Sequence, residues 1–278
     1  MVDRNNKEKK CRIIADKVRL DLIELGEKVN NTMHWGGDLS CVEILAVLYG
    51  EIMNCQGDDF EHNDKFLLSK GHAGASLYAT LYEVGILRKS ELMTYQEDGT
   101  ALAELAEYNP QLGIEVSGGS LGLGLSYGVG LALLAKKKQY DYHTYILVGD
   151  GELDEGSVWE AAMSASQFSL DNITVIIDNN GAQSDGSTVD IMSMENLKER
   201  FEVFGWAVDV VNGHKCKEII DSILDFQQRK PHAIIANTIK GKGVSFMENN
   251  NEWHDKRLQG DKLVMARKEI ETIVKNRF

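Results

Sequence analysis

Apolar residues fall into short unbroken runs, at Tyr145–Val148, at Ile173–Ile177 and within His232–Ile239, each closed by Gly, Asp, Asn or Lys. Runs this short, without alternation, read as strands covered on both faces. A shorter run opens at Phe66, and 205–214 reads as a strand and turn. Elsewhere the spacing turns helical. Lys7 to Val29 sets Ile14, Val18, Leu22 and Leu25 on roughly one face, and helices are predicted over Val42–Met53, Ala73–Val84, Gly156–Phe168 and Lys217–Gln228. Asp38 or Ser40 can cap the second of these, which leaves His34 in a loop spanning 30–37.

Strand, helix and strand between Tyr145 and Asn180 form a βαβ unit, whose crossover makes the strands parallel. The predicted class is therefore α/β, a parallel sheet with helices on both faces. Gly149-Asp150-Gly151 and Asp178-Asn179-Asn180 then fall at the carboxyl ends of neighbouring strands, the edge where open α/β sheets bind ligands. Asp150 offers a carboxylate and Asn180 an amide oxygen, hard donors suited to Mg²⁺ or Ca²⁺. Gly149 and Gly151 let backbone pass close to a bulky anion. The implied guest is a diphosphate carried on a divalent metal. An EF-hand competes weakly: Asp150, Glu152 and Asp154 alternate correctly, but Gly156 comes one place late and strands flank the segment.

Composition narrows the class further. The 278 residues carry a net charge of −13 and no long basic run, which argues against nucleic acid or an anionic membrane as the main partner. With two prolines and no linker-like tract, the expectation is one domain over 1–278. Cys11, Cys41, Cys55 and Cys216 show no paired spacing, so a reducing cytoplasm is the simplest home. The opening MVDRNNKEKKCR is too charged for a secretory signal. The uncharged run Val116–Ala135 holds six glycines, with a GxxxG spacing through Gly124 and Gly128, and reads as a loop and a buried small-residue helix instead of a membrane span.

Gly-Asp-Gly, 27 residues and Asn-Asn, with Glu155-Gly156 between, resembles the thiamine-diphosphate signature. The segments HWGGDLS, with His34, and FLLSKGHAGASLY, with His72, resemble the amino-terminal half of transketolase in order and spacing. So do the glycine loop through Gly119 and Leu121 and the segment GVSFMEN…WH ending at His254. The resemblance implies a thiamine-diphosphate-binding fold with Mg²⁺, or Ca²⁺ or Mn²⁺, on Asp150, Asn180 and the backbone carbonyl of Ala182. It implies His34, His72 and His254 as catalytic groups around the diphosphate and the reacting carbon, and Glu155 near the cofactor at a subunit interface. Gly119, Leu121, Gly149 and Gly151 would line the cofactor, while His214 and His232 are left as structural. The basic loop Lys240–Gly243, at a strand end, also suits an anion.

Two departures bear on function. Full transketolases are more than twice this long, so the resemblance implies a split enzyme completed by a companion chain with the pyrimidine-binding domain, as an α₂β₂ assembly. The expected reaction moves a two-carbon ketol unit from a phosphorylated ketose to an aldose. Family members also carry a Gly-His-Pro between Tyr108 and Gly113, whose His contacts the donor, and here Asn109 stands in that place. Two other readings stay open: the cofactor half of a 2-oxoacid dehydrogenase or deoxyxylulose-phosphate synthase type, and a non-catalytic binding module.

Overall fold

In the computed structural model, which describes residues 3–55 and 59–276, the strands are β1 (Lys65–Leu68), β2 (Thr144–Gly149), β3 (Ile173–Asn179), the short hairpin β4 (Ala182–Gln183) and β5 (Gly186–Ser187), β6 (Ala207–Asn212) and β7 (His232–Asn237). Met1 and Val2 of the charged opening lie outside the described residues. Five strands form one fully parallel sheet in the order β1-β2-β3-β7-β6. The helices are α1 (Arg4–Lys28), α2 (Trp35–Ser40), α3 (Val42–Val47), α4 (Gly74–Glu83), α5 (Lys89–Leu92), α6 (Gly124–Lys138), α7 (Gly156–Gln167), α8 (Thr188–Met192), α9 (Leu197–Val203), α10 (Cys216–Leu224) and α11 (Asp261–Lys275).

Successive strand residues feed two separate cores. Tyr145, Leu147, Ile176, Ile234 and Ala236 face the layer of α1, α3, α4, α10 and α11. Ile146, Val148, Val175, Ile177, Ala233 and Ile235 face α6, α7 and Phe201 of α9. Both faces are covered, so the strands need no polar alternation, and each fully buried aliphatic contributes about 1.5–3 kcal/mol. This arrangement sends Gly149-Asp150 and Asp178-Asn179 to one edge, where Gly149 pairs in register with Asp178.

The predicted elements appear with shifted ends. α1 starts early, at Arg4, because the Asp3 carboxylate accepts the Asn6 N–H at 3.2 Å. Ahead of α3 the loop is shorter than expected: a separate helix begins at Trp35, and His34 is the last loop residue before it. Asp38 and Ser40 are buried inside α2 and do not cap α3; Asp38 instead accepts the Ser76 N–H, in the first turn of α4, at 2.9 Å. Trp35, fully buried, donates its indole N–H to the Lys256 carbonyl at 3.0 Å and pins this turn against the far end of the chain. β3 continues two residues past its apolar run, since Asp178 has a buried counter-charge.

The uncharged run is indeed part loop and part helix. Gly128 of α6 lies so close to the sheet that a Cβ there would come within 2.7 Å of the Ile146 side chain. No helix among the described residues is long and apolar enough to cross a membrane.

Two glycines on α6 give opposite expectations. At Gly130 an added Cβ meets nothing, so Gly130→Ala is expected to stabilise the chain by about 0.5–1 kcal/mol. Gly128→Ala is expected to destabilise it by about 1–3 kcal/mol, because Ile146 is packed and cannot retreat freely. Urea unfolding of both variants checks the pair, and equal shifts would contradict the packing described.

Candidate active site

The strand-end loops are held by two buried carboxylates. Glu152 accepts N–H groups from Gly122 at 2.8 Å and Gly149 at 3.1 Å, and the Ser69 hydroxyl. It therefore ties the glycine loop, the turn after β2 and the end of β1 together. Its oxygens are fully engaged inside the protein, which removes the EF-hand reading. Asp178 is ion-paired with Lys70 and accepts hydroxyls from Ser40, at 2.5 Å, and Thr238. Burial opposes both charges of the Lys70–Asp178 pair, but their mutual attraction outweighs it, holding the ammonium pKa up and the carboxyl pKa down.

Asp150 has a different balance. Its oxygens accept N–H groups from Gly151 at 2.9 Å and Gly181 at 2.6 Å, yet burial and the nearby Asp178 push its pKa up to about 6. A carboxylate so placed gains from a cation. In the same cleft lie the Asn180 side-chain oxygen, which accepts the Ala182 N–H at 3.1 Å, and the side chains of Asp154 and Gln183, which contact each other. An all-oxygen donor set of this kind fits Mg²⁺ or Ca²⁺. Space around Gly149 is open, as a close-approaching ligand needs. Gly151 serves packing instead, since a Cβ there would lie 2.7 Å from Gln183 Cβ.

Three imidazoles form the opposite wall. The rings of His34, His72 and His254 stand 5.4, 5.5 and 5.7 Å apart by centroid. Met33 and Lys256 exchange backbone hydrogen bonds of 3.2 Å, which brings His34 beside His254 across the whole chain length. The two glycines after Trp35 leave room for their neighbours: a Cβ on Gly36 would meet Lys240 at 2.7 Å, and one on Gly37 would meet the His72 ring at 2.9 Å. Gly71 and Gly74, on either side of His72, admit backbone, at Gly118–Gly119 and at Glu104.

The rings differ in charge. Burial, then Lys70, His34, His254 and Lys240, hold His72 well below its ordinary pKa. Burial and Lys240 bring His254 down to about 4. His34 moves the other way, because Glu104, Asp38 and Asp255 overcome its burial. Lys240, brought down to about 8 by burial and Lys70, donates to the Asn251 side-chain oxygen at 2.7 Å and lies 3.0 Å from His254 Nδ1. With Nδ1 accepting, neutral His254 carries its proton on Nε2. The basic loop is thus no exposed anion site: Lys240 is buried behind His254, and Lys242 pairs with Glu248 at 3.1 Å.

One cleft of about 430 Å³ is lined by His34, His72, Gly119, Leu121, Gly149, Asp150, Gly151, Glu155, Asn180, Ala182 and His254. Glu155 is exposed at its rim. Asn109 is elsewhere, lining a separate hollow with Thr94 and Leu112, and Leu105 is the residue of that stretch that enters the cleft. His214 and His232 sit outside it, His214 against Glu43 and the Ile239 N–H, His232 against Asp209. Sequence reasoning passed over Lys70 and Glu104, and placed Glu152, Asp178 and Lys240 without finding their buried roles. A charge in the sequence does not by itself distinguish a buried ion from a solvated one.

A family profile described as "Transketolase, thiamine diphosphate binding domain" matches residues 11–278. The chain belongs to this transketolase family. It is 42% identical over 247 residues to an apulose-4-phosphate transketolase subunit of Phocaeicola vulgatus, covering 86% of each chain. The protein of the same name from Actinobacillus succinogenes is 39% identical over 266 residues, with 95% of each covered. The fold matches the crystal structure of transketolase from Campylobacter jejuni with a TM-score of 0.82 and 29% identity, over 96% of this chain and 43% of that one. The chain thus spans less than half the length of that solved transketolase. Thiamine diphosphate with a divalent metal is the cofactor of this transketolase-type fold.

Removing the Lys70 ammonium would leave Asp178 charged and buried. Lys70→Met is expected to cost about 3–5 kcal/mol, and Lys70→Met with Asp178→Asn to recover much of it. Denaturant titration of both variants checks this, and a double variant no more stable than the single one would contradict the charge argument.

Proposed function

We propose that this chain is the cofactor-holding, amino-terminal subunit of a two-chain transketolase, moving a two-carbon ketol unit from a phosphorylated ketose to an aldose. The observation that carries the reading is the cleft in which oxygen donors and three imidazoles of unequal basicity come together. The two relatives are named as subunits, which supports a partner chain, and their apulose-4-phosphate supports a phosphorylated ketose as the substrate class. The family match and the transketolase relatives lend no support to the 2-oxoacid dehydrogenase, synthase or non-catalytic readings.

In this reading the chain is one domain. Asp150, Asn180 and the Ala182 carbonyl hold the cation, with Gly119, Leu121, Gly149 and Gly151 along the cofactor. Thiamine diphosphate, when bound, supplies the carbon nucleophile and electron sink for cleavage beside a ketose carbonyl. His254, neutral with Nε2–H as a donor, and His72, also neutral, bind anionic oxygen without bringing a full charge. His34 holds its proton to higher pH and exchanges it with substrate hydroxyls. Leu105, 40% exposed, brings an apolar side chain to the cleft and Asn109 lies elsewhere, which favours a donor distinct from the usual ketose phosphates. Glu155, exposed at the rim, meets the pyrimidine-domain partner in an α₂β₂ assembly, and the isolated chain binds cofactor weakly. Four free cysteines, three of them buried, suit a reducing cytoplasm.

The test is co-purification with a pyrimidine-domain chain in thiamine diphosphate and Mg²⁺, followed by assay with ketose phosphates. Retained cofactor and ketol transfer are expected, with cofactor affinity falling at least about tenfold in Asp150→Ala. Carbon dioxide release from pyruvate without ketol transfer, or no cofactor retained with any partner, would overturn the reading.

A further inference from the structure

Three imidazoles within 5.4–5.7 Å of one another cannot all be protonated cheaply, so some group must decide which ring carries the charge. Glu104 occupies the position to do so. Its Oε1 lies 2.9 Å from His34 Nδ1, and neither atom has another hydrogen-bond partner among the described residues. At this distance the two groups form an ion pair whenever the ring is protonated.

The loop that brings Glu104 there is fixed by backbone. The Ala106 N–H donates to the Gly71 carbonyl at 3.2 Å, and the Gly118 N–H to the Ala106 carbonyl at 2.7 Å. The Glu104 carbonyl packs where a Cβ on Gly74 would stand 2.7 Å away. The same two glycines that flank His72 thus seat the partner of His34.

The other groups facing His34 are Asp38 on the helix it precedes, Asp255 and His254 from the far end of the chain, and His72 after β1, while Lys70 and Lys240 act on the two neighbouring rings. Lys70 donates to Asp178 and the Gly37 carbonyl, and Lys240 to Asn251 and the Gln183 carbonyl. Burial pushes Asp38 up to about 7, so near neutral pH it is charged only part of the time. Asp255 lies close enough for its carboxylate to face the same two atoms, within 4.8 Å. Glu104 is the acid in ion-pair contact.

We infer that Glu104 is a positioning residue that assigns the proton of the three-ring cluster to His34 and fixes that ring with Nε2 free for substrate. The inference deepens the ketol-transfer reading and rests on it for the catalytic consequence alone. His34 becomes the acid of the cleft, and His72 and His254 stay neutral beside it. A hydroxyl proton can then be exchanged at one defined point, without a second cation competing for the diphosphate.

Two measurements test it. The first uses the full chain by itself and reads the histidine ring protons by NMR across pH, with His34 assigned through His34→Asn. In Glu104→Gln the His34 titration is expected to move to lower pH, and in Glu104→Asp to return most of the way. An unmoved His34 titration in a Glu104→Gln protein that melts like the parent overturns the inference. The second uses the chain assembled with its partner and cofactor. Glu104→Gln is expected to lower kcat about 10-fold or more at neutral pH, part of the roughly 10²–10⁴-fold that acid–base help supplies. The alkaline limb of the profile should move to lower pH, because a less basic His34 loses its proton sooner. A kcat and pH profile equal to the parent's overturns the positioning role. If the parent assembly transfers no ketol unit at all, the functional reading fails instead, while the ring titration still decides the pair.

Discussion

The ion pair between Lys70 and Asp178 is the constraint on which the rest of the edge depends. Both side chains are buried, at 1% and 0% exposure, so neither charge could survive without the other. Asp178 ends β3, Lys70 follows β1, and the hydroxyls of Ser40 and Thr238 come from α2 and the turn after β7. One carboxylate therefore collects four otherwise distant segments beneath the cleft. Lys70 also donates to the Gly37 carbonyl at 2.9 Å, which carries the constraint into the helix that presents His34. A hydrophobic pair of the same volume could hold the layers together equally well. The charges bring direction as well, since a buried ion accepts only the geometry that satisfies it.

From that base the cleft divides electrostatically. The strand-end side holds Asp150, Glu152 and Asp178, of which Glu152 is absorbed by backbone N–H groups and Asp178 by Lys70. Among the described residues Asp150 has no cation of the protein paired with it, which is why the proposed cation falls to it. On the opposite side the cationic groups are Lys70, Lys240 and His34. The first two are tied to protein oxygens and depress the pKa values of His72 and His254. In the proposed reading an acidic chain meets an anionic cofactor through a metal and neutral ring donors. Neither long-range steering nor an exposed basic loop is required.

Much of this is legible in the order of residues. Short unbroken apolar runs can be buried only between two helical layers, so the parallel α/β sheet and the location of a ligand edge follow from pattern alone. The Gly-Asp-Gly and Asn-Asn clusters lie at strand ends by the same logic. His34, His72 and His254 are legible only through the resemblance of their surrounding segments, because an isolated histidine carries no periodic signal. Counting along the chain points to Asn109. The fold turns that loop so that Leu105 reaches the cleft instead, and no spacing in the sequence encodes that turn.

Local order along the chain is enough to specify the sheet, its two covered faces, the edge that carries the cleft and the family. Packing in three dimensions settles the rest: which glycines admit a ring and which admit backbone, and which charges are buried. It also brings Glu104 to His34 across a separation no local pattern spans. Those outcomes depend on distances between segments far apart in sequence, and a pKa follows from such distances, not from composition.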